Sequence, residues 1–398
     1  MNALVCCRFC RGTAGEVVLD MGAQPACDHF PPLDDASPDP VFPVRLWLCD
    51  GCGLAQLAED ATVPDEPRAV EPLALVQQAE RAVAGVAAAG LLPADGFVIE
   101  HASPHGGSWL GLLAHHGLRP AEDGGVQRAD IVVDCFGLMH DADLAEALAL
   151  RDRELATGGT LLVQYHSLAA VLQHGQWNAV RHGHPVYLST PATVGMLRAV
   201  GLETVTAWRF DLYGGTVLLA AQRGGEPDPN LAKLIDEELE IGVDRPAALR
   251  KLQRAAGSSA EALRTWLLDA RQSGRLVLGY GAASRAVPLL NHAGIGPDLL
   301  PVVADASEPK QGRRLPGVGI PIVAPGDILI RKPDEVLLFV PDLLDEVRQA
   351  MPEVERWGGR WVVAEPHPRV VAADATGGHS QVGGLSDRKV SLMSQRAE

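Results

Sequence analysis

The chain has 398 residues, of which 47% are hydrophobic and 5% aromatic, enough for two to four domains with buried cores. Acidic residues outnumber basic ones by 50 to 34, a formal net charge of −16, which argues against a surface that follows nucleic-acid phosphates. Apolar runs are shorter than the roughly 18 residues of a membrane-spanning helix, and the first residues do not resemble a signal peptide. We therefore expect a cytoplasmic protein that acts neither on nucleic acid nor in a membrane.

The cysteines are concentrated near the start of the sequence. Cys7 with Cys10, and Cys49 with Cys52, form two CxxC turns, each of which presents two thiolates to one ion. Two such turns complete a tetrahedral S4 set, the usual structural zinc site, which has no open position for a substrate. We predict zinc ligation here, with four unliganded buried thiols as the alternative. Cys6 is a substitute for Cys7 if the register is shifted by one residue.

The predicted elements divide the chain into three domains and a tail. Residues 1–62 form the zinc-binding module, and a linking helix follows in DEPRAVEPLALVQQAERAVAGVAAAG. Residues 63–224 then alternate between strands and helices, which predicts a doubly wound parallel sheet. Its predicted elements are the strand FVIE, the helix SWLGLLAHHG, the strand ADIVVDCFG, the helix ADLAEALALRDREL, the strand GTLLVQYH, the helix TPATVGMLRAVG and a terminal hairpin of TVTAWRF and TVLLAAQR.

A second α/β unit is predicted over residues 225–373. It begins with a long amphipathic helix, interrupted near Pro246 and Gly257, and continues with the strand, glycine turn and helix of RLVLGYGAASRAVPLLNHAG. Asp305 ends the next strand, and this combination is typical of a domain that cradles a nucleotide. Residues 374–398 are polar and rich in Gly and Ser, which predicts a flexible tail.

The sequence resembles the sugar C-methyltransferases, which use S-adenosylmethionine (SAM) to methylate carbon 3 of nucleotide-linked 4-keto-deoxysugars in natural-product biosynthesis. The strings that carry the resemblance are CRFC, LDMGAQPACDHF and LWLCDGCGLAQL in the first domain, and GYGAASRAVPLLNHAGI and VVADASEPKQGRRLPGVGIPIVAP in the last. The resemblance implies an α/β protein with a zinc module, a reduced SAM-methyltransferase-like Rossmann domain and a C-terminal Rossmann-like domain. It places the substrate between the last two domains.

The implied SAM site departs from the family pattern. Where the family has Glu-x-Gly-Ser-Asn-Asp-Gly, residues 100–106 read EHASPHG. The methyl group of Ala102 narrows the approach that a glycine allows, and His105 replaces a carboxylate. Arg119 replaces a ribose-binding glutamate and cannot accept a hydrogen bond, and one strand–helix unit before ADIVV is missing. SAM is thus the implied cofactor of a degenerate site, whose residues by resemblance are Glu100, Ala102, Ser103, His105, Gly106 and His140.

The family's catalytic string, Tyr-His-Glu-His followed by Tyr-x-Ser, is partly kept in RHGHPVYLS at residues 181–189. By resemblance, His184 is the base that removes the proton beside the ketone, Tyr187 positions the enolate, and His182 is a further catalytic candidate. Each of these side chains also has a structural interpretation, as a loop or packing residue. The implied substrate contacts are Arg181, Tyr213, Gly214 and Gly215, with Ser284, Arg285 and Lys310 as phosphate contacts.

These features leave three functions open. The first is SAM-dependent C-methylation of a keto sugar or a related metabolite. The second is an epimerase, isomerase or lyase that has lost SAM and keeps only proton abstraction, because returning the proton to the other face needs no methyl donor. The third is a non-catalytic methyltransferase-like partner of another enzyme. The altered cofactor loop favours the last two, and the resemblance along the chain favours the first.

Overall fold

The computed structural model describes residues 4–59, 72–101, 107–121 and 127–372. The strands are β1 (Gly15–Pro25), β2 (Val41–Cys49), β3 (Ala55–Leu57), β4 (Gly96–His101), β5 (Leu118–Pro120), β6 (Ala129–Cys135), β7 (Leu155–His166), β8 (Val186–Tyr187), β9 (Glu203–Phe210), β10 (Thr216–Gln222), β11 (Val277–Tyr280), β12 (Val303–Ala304), β13 (Ile322–Val323), β14 (Glu335–Leu338), β15 (Arg360–Val363) and β16 (Arg369–Val370). The helices are α1 (Leu73–Ala88), α2 (Leu110–Ala114), α3 (Leu144–Glu154), α4 (Leu168–Gln173), α5 (Thr190–Ala199), α6 (Pro229–Ile241), α7 (Pro246–Leu249), α8 (Lys251–Gln272), α9 (Ala286–His292), α10 (Gly326–Arg331), α11 (Leu344–Ala350) and α12 (Glu353–Arg356). These elements confirm the predicted α/β class.

The first sheet belongs to the cysteine-rich part of the chain but recruits a distant strand. Its order is β1-β2-β3-β8, and the pairings of β1 with β2, β2 with β3 and β3 with β8 are all antiparallel. Ala55 pairs with Tyr187 and Gln56 with Val186. The sheet therefore holds the segment that carries His184, which lies more than a hundred residues further along the chain.

The middle sheet has the order β5-β4-β6-β7-β10-β9. Its first four strands are parallel, and β10 runs antiparallel to both β7 and β9, as the predicted terminal hairpin requires. A doubly wound sheet places two strands outside its first strand, in the order 3-2-1-4-5-6. Within the described residues only β5 lies outside β4, so this sheet is one strand short, in agreement with the missing unit noted in the sequence.

The C-terminal sheet keeps the full doubly wound order. Its strands run β13-β12-β11-β14-β15-β16, which is 3-2-1-4-5-6 in chain order, and β16 alone is antiparallel to its neighbour. The crevice where the strand order reverses lies beyond the carboxyl ends of β11 and β14. Such a crevice is the position where open α/β sheets bind ligands.

The predicted interruption of the long helix is right at one position and wrong at the other. Helix α6 ends at Ile241, where Gly242 adopts a left-handed φ of 91°, and α7 begins at Pro246. Helix α8 continues through Gly257 without a break. One glycine costs a helix about 1 kcal/mol, and the buried face of α8, including Leu252, Leu263 and Leu267, outweighs that cost.

Among the described residues, no helix combines the length and the apolar character that crossing a bilayer requires.

Candidate active site

A cavity of about 380 Å³ lies where the carboxyl edges of the two six-stranded sheets face each other. One wall follows the ends of β6 and β7, and the opposite wall follows the ends of β11, β12 and β14. Its walls combine apolar and aromatic side chains with a few titratable groups, the usual composition of a small-molecule site. The residues that matter below are Phe136, Met139, His166, Arg181, His184, Tyr213, Gly281, Ser284, Arg285, Asp305, Lys310, Asp342 and Glu346.

His184, the predicted base, lies in the cavity wall beside two other polar side chains. Its Nε2 is 2.8 Å from Arg181 Nη2, and its ring meets the His140 ring edge-on with centroids 4.6 Å apart. His140 in turn donates from Nδ1 to the carbonyl of Gly183 at 2.7 Å. The structure thus brings together His140, Arg181 and His184, three residues assigned by resemblance to the cofactor, the substrate and the chemistry.

Tyr187 and His182 lie behind this wall rather than in it. The Tyr187 hydroxyl accepts from the Arg181 amide at 2.9 Å and donates to the Arg181 carbonyl at 3.2 Å, and the ring is buried. His182 is buried with its ring against the edge of Phe42. Neither residue lines the cavity, and their catalytic roles stay predictions. Tyr187 therefore fastens the main chain of Arg181.

Tyr213 lines the cavity, whereas its two following glycines shape the turn. Tyr213 adopts a left-handed φ of 57° and packs edge-on against Phe136, whose φ is 63°. A Cβ on Gly214 would stand 2.3 Å from Gln176 Nε2, and one on Gly215 would stand 2.6 Å from the Ala170 Cβ. The two glycines are thus needed for close packing, and of this string Tyr213 lines the cavity, where its substrate contact stays a prediction. Left-handed non-glycine residues are characteristic of functional sites.

His166 was not singled out in the sequence, although it ends β7 and lines the cavity. Its Nε2 lies 3.2 Å from the Gln176 carbonyl oxygen. Burial lowers the pKa of His166 to about 3, and the positive charge of Arg285 acts in the same direction. The ring is therefore neutral near pH 7. Its position as the last residue of a buried parallel strand was the available signal, since ligand clefts form at strand carboxyl ends.

The glycine turn after β11 is held by Asp305. One carboxylate oxygen accepts from the Ala282 amide at 2.7 Å and the other from the Ser307 amide at 2.8 Å. Lys310 is buried, donates to the Ala282 carbonyl at 3.1 Å and lies 4.8 Å from the Phe30 ring centroid. Asp305 thus organises the turn that brings Ser284, Arg285 and Lys310 into one wall of the cavity.

Two partly buried carboxyl groups beside Arg285, those of Glu365 and Asp342, had no signal in the sequence. Arg285 Nη2 is 3.3 Å from Glu365, and Asn178 donates to Glu365 and, at 3.0 Å, to the Arg285 carbonyl. Burial raises the pKa of Glu365 and of Asp342 above their usual range, although Arg285 opposes the shift at both. Asp342 lines the cavity, so this wall presents a carboxyl group as well as a guanidinium.

The edge of the middle sheet at which SAM was predicted is only partly described. Ala102, Ser103, His105 and Gly106 lie outside the described residues. Glu100 accepts from the Ser108 hydroxyl and the Trp109 amide, both at 2.5 Å, and so holds the start of α2. Arg119 pairs with Asp95 at 3.2 Å and covers the Phe97 ring, near the opposite end of β4. It therefore lies far from the carboxyl edge where a ribose would be held.

The four predicted zinc ligands converge. The Sγ atoms of Cys7, Cys10, Cys49 and Cys52 all lie within 4.8 Å of one another, and the Cys7–Cys52 and Cys10–Cys49 pairs are 3.5 Å apart. A hydrogen bond from Cys52 lowers the pKa of the Cys7 thiol to about 5. Four sulfurs at these separations fit a tetrahedral zinc ion, and Cys6 is not part of the group.

The zinc module also contacts the C-terminal domain. The Arg314 guanidinium pairs with Asp39 at 2.6 Å, the Arg314 amide donates to the Pro31 carbonyl, and Arg313 Nη1 donates to the Phe30 carbonyl at 2.7 Å. Strand β8 pairs with β3 of the zinc module. The module therefore supports both the wall that carries His184 and the wall that carries Lys310.

Two protein families match the chain in separate segments. The family described as "C-methyltransferase C-terminal domain" matches residues 211–366, and the one described as "Putative zinc binding domain" matches residues 7–66. A curated relative, the C-methyltransferase NovU of Streptomyces niveus, is 28% identical over 273 residues. That match covers 67% of this chain and 64% of the relative, slightly less than two thirds of its length.

Part of the chain is also similar to solved methyltransferases. Magnesium protoporphyrin IX methyltransferase of Synechocystis PCC 6803 with bound SAH is 13% identical, with 38% of this chain and 84% of that chain covered and a TM-score of 0.29. The 1,6-didemethyltoxoflavin-N1-methyltransferase of Burkholderia thailandensis is 15% identical, with 44% and 96% covered and a TM-score of 0.27. At such scores these likenesses carry no conclusion about function. The C-terminal part of the chain thus matches the family of C-methyltransferase C-terminal domains, its first part matches a zinc-binding family, and about two thirds of the chain is similar to a C-methyltransferase.

Proposed function

We propose that the protein transfers a methyl group from SAM to a carbon beside the ketone of a small molecule. The observation that carries the proposal is the cavity between the two sheets, in which His184 and Arg181 face Arg285 and Asp342. The match to the C-methyltransferase C-terminal domain and the similarity to a C-methyltransferase support the reaction type. Methylation at such a carbon passes through an enolate, so polar groups around the ketone oxygen and the adjacent C–H are the groups to expect.

The proposed substrate is a nucleotide-linked keto sugar. Support comes from the turn after β11, where Ser284, Arg285 and Lys310 lie at the point at which the strand order reverses. Phe136 and Tyr213 offer ring faces on the opposite wall. In this arrangement the C-terminal domain holds the nucleotide, and the segment that leads into β8 presents His184 to the sugar.

SAM would supply the electrophilic methyl group, and the described residues fit it only in part. The carboxyl ends of β4 and β6 lie side by side, as a SAM site requires. Glu100 is bonded within its own loop, to the Ser108 hydroxyl and the Trp109 amide, and the two acidic residues that follow β5 in the sequence, Glu122 and Asp123, lie outside the described residues. The roles derived from geometry are therefore limited to the chain's own groups: Tyr187 and Arg181 orient His184, and the apolar wall excludes water.

A second candidate is supported by the same incomplete edge. An enzyme without SAM that removes a proton beside the ketone and returns it would use the same cavity, with His184 beside the ketone. Asp342 adds a carboxyl group to that cavity, and burial raises its pKa, which favours a role in proton transfer. An enzyme of this kind would be an epimerase or isomerase.

Calorimetric titration of the zinc-loaded protein with SAM and with S-adenosylhomocysteine separates the two. Binding at micromolar concentration is expected for the methyltransferase. The absence of heat up to millimolar concentration, with circular dichroism showing a folded protein, would reject SAM use.

A proton-exchange experiment then tests the shared chemistry. A nucleotide-linked 4-keto sugar is incubated with the protein in D2O without SAM, and deuterium at the carbon beside the ketone is followed by NMR. Exchange without SAM supports proton removal, and His184→Ala should abolish it. His116→Ala, at an exposed position outside the cavity lining, is the matched control and should leave exchange unchanged.

A further inference from the structure

The wall that carries His184 contains a buried ion pair contributed by the zinc module. Arg181 Nη1 is 3.2 Å from both carboxylate oxygens of Asp28, and the two residues are 7% and 8% exposed. A buried ion pair adds little net stability, because removing both charges from water costs about as much as their attraction returns. Net stability therefore does not explain the pair, and the second side-chain contact of Arg181 indicates its role.

The second terminal nitrogen of Arg181 points at the imidazole. Arg181 Nη2 lies 2.8 Å from His184 Nε2, while Tyr187 holds the Arg181 amide and carbonyl from behind. A guanidinium donates hydrogen bonds, accepts none and does not lose its proton in proteins. Nε2 of His184 must therefore be the acceptor in this contact.

That contact decides the protonation of the ring. The neutral imidazole has one proton and one lone pair, and the lone pair on Nε2 is directed at Arg181, so the proton is on Nδ1. Neither nitrogen can then take a proton from carbon: Nε2 is engaged by a cation, and Nδ1 already has its hydrogen. A second proton would also place an imidazolium 2.8 Å from a guanidinium, and the two charges repel.

We propose that Asp28 and Arg181 are positioning residues that hold His184 as a neutral Nδ1–H hydrogen-bond donor. In this role His184 stabilises the oxygen of the ketone as it gains negative charge, instead of removing the C–H proton as the sequence predicted. The proton then passes to another group that lines the cavity, for which Asp342 offers a carboxylate. The proposal rests on the proposed function for the identity of that oxygen. The tautomer itself follows from residues of this chain alone.

The tautomer is measured without any substrate. Long-range ¹⁵N–¹H correlation spectra of histidine-labelled, zinc-loaded protein are recorded at neutral pH, with His184 assigned by its loss in His184→Asn. The expected spectrum shows a protonated Nδ1 and an unprotonated Nε2. In Arg181→Met the ring should shift toward the Nε2–H tautomer, and in Arg181→Lys, which keeps a cationic donor, it should largely remain in the Nδ1–H form.

Asp28→Asn tests the outer member of the arrangement and should give a spectrum between those of wild type and Arg181→Met. A wild-type His184 that is Nε2-protonated or doubly protonated would overturn the proposal. So would an Arg181→Met variant that is folded by circular dichroism and unchanged in tautomer.

Turnover gives a second, independent readout. His184→Ala should lose about 10²–10³-fold in kcat, the usual cost of removing one donor to a developing oxyanion. His184→Asn places an amide N–H near the former Nδ1–H and should recover at least about tenfold of that loss, whereas an asparagine cannot replace a base. Equal loss in both variants would overturn the donor role. Absence of any turnover in wild type would instead reject the proposed function and leave the tautomer result standing.

Discussion

The two six-stranded sheets meet at one cavity, but among the described residues their strand orders differ: one follows the full doubly wound order and the other does not. The C-terminal sheet has the full doubly wound order, and its first turn is held by both oxygens of Asp305. The middle sheet lacks one strand among its described residues, and the acidic side chain at the end of β4, Glu100, is bonded to its own loop. The two edges of the cavity thus differ in how their side chains are held.

The two edges of the cavity also differ in what holds them. The turn after β11 is maintained by hydrogen bonds to Asp305, within its own domain, so its shape does not depend on the middle sheet. The middle sheet contributes His166 and the neighbourhood of His184, and that neighbourhood depends on the zinc module through β8 and Asp28. The three experiments that follow test how independent the two walls are.

The largest effect is expected from loss of the zinc module. Cys49→Ser removes one of four ligands, and we expect zinc content to fall from about one ion per chain to near zero. Unfolding free energy should fall by about 4 kcal/mol or more, because structural zinc binding is coupled to folding. Metal analysis and urea denaturation measure both. Cys6→Ser, next to the cluster but outside it, is the control and should retain its zinc.

If Cys49→Ser keeps one zinc ion per chain, the four-cysteine site is wrong. If zinc is lost while the tautomer of His184 is unchanged, the middle wall does not depend on the module as its contacts indicate.

A substitution in the C-terminal turn tests the other wall directly. Gly281 has a φ of +90°, and a Cβ there would lie 2.8 Å from Val340 Cγ2. Gly281→Ala should therefore cost about 3 kcal/mol of unfolding free energy, from the left-handed backbone and the close contact together. Gly257→Ala is the matched control: it lies inside α8 with open space around it and should stabilise the protein by about 0.5–1 kcal/mol.

Denaturant titration of the two variants measures the contrast. Equal unfolding free energies of Gly281→Ala and wild type would show that the turn after β11 can accommodate a Cβ. The C-terminal turn would then not be the more rigidly held edge of the cavity.

The parts of the molecule that the sequence predicted are those set by local pattern. Four cysteines in two CxxC turns define their own geometry, and alternating strands and helices define a parallel sheet, so both were accessible from residue types and spacing. The missing strand was also visible, because too few residues separate β5 from β6.

The parts that it did not predict depend on contacts between distant residues. Asp28 and Arg181 are 153 positions apart, and Tyr187 turns away from the cavity only because β8 joins the zinc-module sheet. No periodicity encodes such a pairing. The pairing of Glu365 with Arg285 is likewise a product of the fold, whereas His166 was detectable as the polar end of a buried strand.

The smallest of the three effects is expected at His166, at the end of β7 in the middle sheet. Its pKa depends on how closely the two walls of the cavity approach each other. Its pKa is lowered to about 3 by burial and by Arg285 of the opposite sheet, against about 6.5 in an unfolded chain. As the pH falls below 6.5 the unfolded chain takes up the proton first, so folding stability is lost progressively toward pH 3. Between pH 7.5 and pH 5 this contributes a loss of about 2 kcal/mol.

His166→Gln removes that contribution, so the difference in stability between the variant and wild type should shift in the variant's favour by about 2 kcal/mol when the pH is lowered from 7.5 to 5. Urea denaturation at both pH values measures it, with His116→Gln, an exposed histidine of the same domain, as control. A shift in His166→Gln no larger than in the control would mean that water reaches the ring, and that the middle wall is not closed against the C-terminal sheet. If the pH-dependent shift disappears in an Arg285→Met background, a share of it comes from the opposite wall. The Arg285 guanidinium is the positive charge of the C-terminal domain that lowers the pKa of His166.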